Sequence, residues 1–474
     1  MPVNSRHPDH DAQSAKILRV RDSLDADSVK AAGETYLPKP SGMKAAKYKS
    51  YVQRALYYGA TERTLQGISG LVFRRQTQAE APAGQFAEDL LLNVDQRGTS
   101  YDRFTQTVFD EVFTSGRCGV YCSLPTTPTQ GARARLSTYR FESIINWEET
   151  EQPDGSPKTT RVVLEESRLI KTPDDAYSMK RITQWRDVCI HNGRVLVTIW
   201  RKSRDVAGST SLGHEFSPVL VAEPVFRGQP LREIPFVAIN PRSLGLHQTE
   251  KPPLLPLADA NLYHWGQMAD RRHAEHNVAA ATGIYITADG VKPKEVEFGG
   301  GTVLTIPKSD AKVGLLEYSG QGLNPLRDGI EDTVGYMATL GARLLEVSKR
   351  APETAETHRL RQGREQATVA GTVQTINSGM SRAATMLLNL SGQPGDAEIH
   401  ANTDLVDAKM QPDEIRSQLE ALQTGALPYE VFWANLQRGE IAPVAMGHTE
   451  AREAVAAERD TSLPVLPEGE GEEI

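Results

Sequence analysis

The pattern of apolar and polar positions divides the chain into stretches of different period. Between Met43 and Val72, the residues Val52, Leu56, Leu65, Ile68 and Val72 recur at near-helical spacing, interrupted around Gly59, and predict two helices. Residues 85–115 predict two more. Phe86, Leu90 and Leu91 lie in the first. Tyr101, Phe104, Val108 and Val112 line one side of the second, with Ser100 placed to cap it. From Gly119 to Pro235 the period changes. GVYCSL, TRVVLEES, ITQWRDVCI, RVLVTIWRKS and PVLVAEPVF are short β-rich runs separated by turn signals such as PDGSP and HNG. They predict an antiparallel sheet beside the N-terminal helices, an α+β module. The first 35 residues are polar and predict an arm or a loosely held lead-in.

The second half is organised around long helices. Residues 253–281 follow Pro252 and Pro253 and carry Leu257, Asn261, His264 and Met268 on a thin apolar face, with the basic pair Arg271 and Arg272 beyond. A helix so polar all round needs support from neighbours, and copies of itself are one source. Residues 283–318 predict a compact β insert: GIYITA, a glycine turn at Gly299–Gly301, TVLTIP and VGLLEY. A second long helix is predicted from Asn324 to Val347, with Ile330, Val334, Met337, Leu340 and Leu344 on one face. After a break at Lys349–Thr357, which contains Pro352, a third runs from His358 to Leu390 with the stripe Val369, Val373, Ile376, Met380, Ala384 and Leu387. A helical tail module spans 411–459, opened by Pro412 and Asp413, with Gly425 as a stop after its first helix.

Composition adds limits. At 474 residues the chain predicts two to four modules. No apolar run approaches the roughly 20 residues that span a bilayer, and MPVNSRHPDHDAQ has no apolar signal core. The net charge is −8, of which −6 lies between Glu450 and Ile474, where eight acids face two bases. The body is therefore close to neutral, unlike a tight general DNA binder, which clusters Lys and Arg to release phosphate counterions. DNA that must slide is still compatible with it, because a weakly charged wall does not hold phosphates. The three cysteines, Cys118, Cys122 and Cys189, are an odd number. Cys118 and Cys122 share one strand face and are expected to be reduced core thiols.

The chemistry of common enzymes is missing from the chain. There is no Gly-Lys dipeptide, hence no P-loop; there is no GxSxG and no HExxH. His264, His273 and His276 share one predicted helix with Asp270, but no third ligand has matching spacing, so polar groups on an exposed or subunit-facing helix are the simpler reading. Glu165 and Glu166 are adjacent on a strand and point to opposite faces, so they cannot share a site. No cofactor is expected.

The order of modules resembles the portal (connector) proteins of tailed bacteriophages. YLPKPSGMKAAKYKSYVQRALYYGATERTLQGISGLVFR looks like the N-terminal helices of one portal family. GQPLREIPFVAIN followed by KPPLLPLADANLYHW looks like the entry to its first stem helix. LGARLLEVSKRAPETAETHRLRQGREQA is similar to its second stem helix, tunnel loop and channel-lining helix, and QPDEIRSQLEALQTGALPYEVFWANLQRG to its C-terminal crown. The resemblance covers roughly residues 35–445 and departs at the polar start and the acidic end.

The resemblance implies an α+β fold with a mixed wing, a long-helix stem, a small β-rich clip and a helical crown, assembled as a dodecameric ring. It divides the chain into an arm at 1–34, wing at 35–252, stem helices at 253–281 and 322–348, clip at 282–321, tunnel loop and channel-lining helix at 349–395, crown at 396–460 and acidic tail at 461–474. It further implies no catalysis, a place at one capsid vertex of a virion assembled in the host cytoplasm, and double-stranded DNA in transit. The implied partners are copies of itself, the terminase large subunit, a head–tail adaptor, and the major capsid and scaffold proteins, with no membrane. Lys349, Arg350, Glu353, Thr354 and Thr357 would lie on or near the tunnel loop. Arg271 and Arg272 on the first stem helix would meet DNA or pair with Asp328, Glu331 or Asp332 on the second stem helix or a neighbour. Gly363, Gly371 and Gly379 recur every eight residues in the third long helix. Close packing between subunits or a kink would account for them, and alanine at Gly371 is then expected to perturb assembly. Another virion connector protein, and a metal-dependent DNA-processing enzyme built on scattered acids, are the alternative readings.

Overall fold

The computed structural model describes residues 2–124, 133–172, 175–205, 215–279, 282–286, 312–316, 323–341, 355–403, 412–438, 441–442 and 446–461. The chain forms two compact units, Met1–Asp404 and Leu405–Ile474. The described part is α+β.

The first unit begins with helices. α1 (Pro8–Ser23) is started by Pro8 and by His7, whose Nδ1 accepts the Asp9 N–H at 3.2 Å; α2 (Ala26–Ala32) is capped by Asp25. Ile17, Val20 and Val29 are fully buried, so the segment expected to be a loosely held arm is instead part of the body. Its composition hides this because the buried stripe of α1 includes the polar His10 and Ser23. α3 (Ala45–Arg54) and α4 (Ala60–Val72) follow with the break at Gly59. Leu56, expected on the apolar stripe, falls in the link between them and is 56% exposed. β1 (Gln78–Glu80) leads to α5 (Gln85–Leu92), where Leu90 and Leu91 are buried and Phe86 faces out, and to α6 (Tyr101–Ser115). Ser100 caps α6, its Oγ accepting the Arg103 N–H at 3.4 Å. Gly116 ends α6 at φ 78°, where a Cβ would lie 2.6 Å from the Glu250 carbonyl oxygen.

The β region holds two main sheets. β2 (Cys118–Ser123) lies between β3 (Arg135–Arg140) and the later β11 (Phe236–Ile239). β4 (Ile144–Glu151), β5 (Pro157–Thr172), β6 (Asp175–His191), β7 (Arg194–Lys202) and β8 (Phe216–Ala222) form an antiparallel meander in chain order. The β6–β7 hairpin turns on Asn192 at φ 50° and Gly193 at φ 72°, the two positive dihedrals that suit a two-residue turn between twisted strands. Val162 and Leu164 point to one face, packing with Ile144, Trp147, Val188 and Val197. Val163 points to the other, with Ile145 and Trp185. β9 (Val225–Phe226) and β10 (Gln229–Pro230) make a small hairpin before β11.

Long helices complete this unit. α7 (Leu255–Ala279) is followed by β12 (Thr282–Ile286), β13 (Lys312–Leu316) and α8 (Leu323–Leu340). β12 and β13 pair antiparallel, Ile284 opposite Gly314. The expected TVLTIP run and glycine turn lie outside the described residues. α9 (Ala355–Leu390) starts three residues before the expected His358. Its stripe Val369, Val373, Ile376, Met380, Ala384 and Leu387 is buried throughout. β14 (Glu398–His400) then pairs with β1. β14 is thereby bound into the first unit, which ends at Asp404. Asn377, Ser381 and Thr385 of α9 hold it: Asn377 Oδ1 accepts the Ala401 N–H, Ser381 Oγ the Ile399 N–H and Thr385 Oγ1 the Ala397 N–H, at 2.8–2.9 Å.

The second unit is helical among its described residues: α10 (Pro412–Gln423), α11 (Tyr429–Arg438) and α12 (His448–Thr461). Gly425 follows α10 at φ 75°. Trp433 Nε1 and Gln437 Nε2 both donate to the Met446 carbonyl at 2.9 Å, tying α11 to the approach to α12.

Candidate functional site

The hairpin of α7 and α8 with its β12–β13 insert is the most distinctive part of the chain. α7 carries little apolar surface by composition, yet its own chain buries it on several sides. Leu262, Trp265 and Ala269 pack with Val29, Tyr51, Val52 and Ala55. Asn261, fully buried, donates to Tyr57 Oη at 2.7 Å and Thr61 Oγ1 at 3.2 Å. Tyr51 donates to Asp270, and Gln267 Nε2 reaches the Gly329 carbonyl of α8 at 3.3 Å. The support expected from neighbouring copies thus comes in large part from α1, α3, α4 and α8. The amide nitrogens of Asn261 and Gln267 find partners in this setting, and Leu262, Trp265 and Ala269 add apolar burial.

The charged residues of the hairpin pair along each helix instead of across it. Arg271 bonds Glu275 at 2.8 Å and Arg272 bonds the same carboxylate at 3.0 Å. On α8, Arg327 lies 3.8 Å from Asp328 and 3.6 Å from Glu331. The expected bridges from Arg271 and Arg272 to Asp328, Glu331 or Asp332 are not formed within the chain. The reason is spacing: an acid three or four residues away on the same helix is always in reach, while one on a facing helix needs a matching register. Exposed pairs of this kind contribute about 0–1 kcal/mol each. Asp332 lines a groove between the two helices with Tyr263 and Tyr336.

Lys349, Arg350, Glu353 and Thr354 lie outside the described residues. Thr357 and Gly363 fall in α9, in a part whose side chains are not described. Gly371 is exposed, and among the described residues a Cβ there would meet no neighbour within 4 Å beyond its own helix's backbone. Close packing is found instead at Gly379, where a Cβ would sit 2.6 Å from Ile239 Cδ1. It joins α9 to β11 within one subunit.

The histidines do not converge. His264 is buried beside Tyr58, and burial lowers its pKa. His273 meets Tyr51 edge-on; burial first, then Arg54, His276 and Lys47, hold its pKa down against the pull of Asp270. No group of three or more His, Cys, Asp or Glu side chains suited to a metal ion occurs among the described residues. Cys118 and Cys122 are buried free thiols on β2, raised in pKa by burial. A cavity of about 460 Å³ lies between the start of β5, β11 and α9, lined by Glu149, Lys158, Phe236, His247, Arg382 and Met386 among others.

Sequence reasoning missed three charge centres, one of them fully buried and two partly buried. Arg117 is fully buried. It donates to Asn240 Oδ1 at 2.8 Å, to the Leu246 carbonyl at 3.3 Å and to the Gln248 carbonyl, with Phe141 and Trp147 against its guanidinium. Burial pulls its pKa down to about 10 despite the opposing field of Glu149, Asp9 and Glu250. Arg186 bonds Glu166 at 2.7 Å, and Tyr139 and Gln184 donate to the same carboxylate. Glu165 instead accepts from Trp185 Nε1 at 3.1 Å, so the two adjacent glutamates do face opposite ways. Arg21 joins Glu111 and Glu142, stapling α1 to the body. The Arg117 and Arg21 centres join residues about ninety or more apart in the chain, and the Arg186 centre spans the β5–β6 hairpin, so no short local pattern announces them.

With this geometry in hand, the chain can be set beside known proteins. A family model described as a domain of unknown function (DUF4055) matches residues 253–389, from α7 to the end of α9. No curated protein matches the chain. Two solved structures are similar at low scores. One is the virion of a native gene transfer agent (GTA) particle, at 13% identity and a TM-score of 0.38, covering 88% of this chain and 99% of that one. The other is the neck of a native GTA particle computed with C12 symmetry, at 12% identity and a TM-score of 0.36, covering 87% and 100%. Among the described residues no helix is long and apolar enough to cross a membrane.

Proposed function

We propose that this chain is a phage-type portal subunit. It builds a ring, expected to be dodecameric, at one capsid vertex, through which DNA enters and leaves and on which terminase and a head–tail adaptor dock. The observation that carries the reading is the order of elements after the α+β body. α7, 25 residues long, runs out to the paired strands β12 and β13, α8 runs back against it, and α9 then packs its apolar stripe on the body. That order supports the portal reading that the sequence resemblance suggests. On this reading α7 and α8 are the stem, the β12–β13 pair belongs to the clip, and α10 to α12 belong to the crown. Lys349 and Arg350 would approach the phosphates of passing DNA, while Glu353 keeps that contact weak. The subunit performs no chemistry of its own; it supplies a channel and a docking surface.

Negative-stain electron microscopy with mass measurement on the purified chain tests this. Closed rings with a central hole are expected. A stable monomer or compact dimer across the accessible concentration range counts against the reading.

A further inference from the structure

Helix α7 carries two surfaces of opposite character on opposite sides. At roughly 100° per residue, Pro256, Ala260 and Tyr263 point one way, while Arg272 and His276 point about 180° from them. On the first side Pro256, Asp259, Ala260 and Tyr263 of α7 and Asp332 and Tyr336 of α8 line an open groove of about 570 Å³. Tyr263 and Tyr336 are 65% and 57% exposed. Asp259 is paired with Arg19 of α1 at 3.2 Å, and the rest of α8 adds Asp328 and Glu331 against its one base Arg327, so the groove is aromatic and its acidic balance comes from α8. On the other side Lys30, Arg54, Leu56, Arg272 and His276 surround Glu275 in a shallow concavity. Leu56 stands exposed at its edge. Residues 35–61 supply five bases, Lys39, Lys44, Lys47, Lys49 and Arg54, and no acid. This rim is basic in a chain whose net charge is −8.

We infer that the aromatic, acidic groove of one copy receives the basic rim and Leu56 of a second copy, making a head-to-tail contact between subunits. Charge decides the occupant. A two-fold contact would set acid against acid or base against base, whereas two complementary surfaces on opposite sides of one helix join copies in a repeating sense, which a rotation closes into a ring. Polyanion on the rim would leave Tyr263 and Tyr336 uncovered; a second copy covers both surfaces at once. The inference rests on the ring reading above for its closure and names the surfaces that make it.

The test uses two full-length variants. The groove variant is Glu331→Lys with Asp332→Lys; the rim variant is Lys30→Glu with Arg272→Glu. All four positions lie at or beside the surface, and melting curves matching the unaltered chain establish that both fold. Each variant alone is expected to lose rings under conditions where the unaltered chain forms them. An equimolar mixture is expected to recover them, because the reversed groove accepts the reversed rim and each remaining surface finds its original complement. Mass measurement should then show the two variants in equal numbers. Rings from either variant alone at the original yield overturn the interface while leaving the portal reading intact, as does a mixture of folded variants that stays unassembled. Rim-variant rings that form normally but no longer retain duplex DNA assign the rim to phosphate and overturn the inference. An unaltered chain that never assembles removes both readings.

Discussion

Two glycines of α9, eight residues apart, should answer the same substitution with opposite signs. At Gly379 a Cβ would stand 2.6 Å from both Ile239 Cγ1 and Ile239 Cδ1, and 3.1 Å from Leu244 Cδ2. Ile239 is fully buried, and its backbone is held in β11 opposite Cys118, so it has little room to withdraw. Overpacking of this kind costs about 1–3 kcal/mol. Alanine recovers about 1 kcal/mol of helix propensity. Gly379→Ala should therefore destabilise by about 0–2 kcal/mol. At Gly371 no neighbouring group among the described residues lies within 4 Å of the added methyl, apart from the helix's own backbone, so only the propensity gain remains and Gly371→Ala should stabilise by up to about 1 kcal/mol. Urea denaturation followed by tryptophan fluorescence measures both. A double-mutant cycle isolates the contact: Ile239→Val costs about 0.5–1.5 kcal/mol in the unaltered chain but less in the Gly379→Ala background, since it removes the clashing Cδ1. Equal signs at the two glycines, or a strictly additive cycle, would refute the packing argument. Should copies pack at Gly371, the alanine variant would be more stable as a chain yet assemble poorly, which mass measurement separates from the folding effect.

Arg117→Ala should destabilise by roughly 3–5 kcal/mol, because it opens a cavity and orphans Asn240 Oδ1 and two carbonyls; Arg117→Met, which fills the space, should cost less in the same denaturation assay. Burial alone would raise the Glu166 pKa, but Arg186, Tyr139 and Gln184 outweigh it and the net shift is downward. A carboxylate lowered by folding adds stability above its unfolded pKa, near 4.3, and loses it as pH falls through the folded value. Glu166→Gln should accordingly flatten the acid limb of the stability–pH curve below about pH 5, and an unchanged limb would discount the network. A thiol reagent added to native protein should modify the half-buried Cys189 first, with Cys118 and Cys122 reacting only on unfolding. Simultaneous reaction of all three would contradict the burial of β2.

Periodicity alone carried much of the architecture. The α9 stripe from Val369 to Leu387, the Ser100 cap, the Asn192–Gly193 hairpin and the Gly425 stop are local patterns. Their physics acts over a few residues, so the chain states them directly. What the tertiary structure decided is where polar residues end up. His10, Asn261 and Arg117 look like surface residues in sequence, yet each is buried, because a partner more than one hundred residues away satisfies it: the Glu142 carbonyl, Tyr57 and Thr61, and Asn240 respectively. α1 likewise reads as a polar arm until Arg21 meets Glu111 and Glu142. The split of α7 into an acidic and a basic side likewise depends on which helices flank it. Hydrophobic period is a property of a segment, whereas the satisfaction of a buried charge is a property of the fold, and only the folded chain brings the partners together.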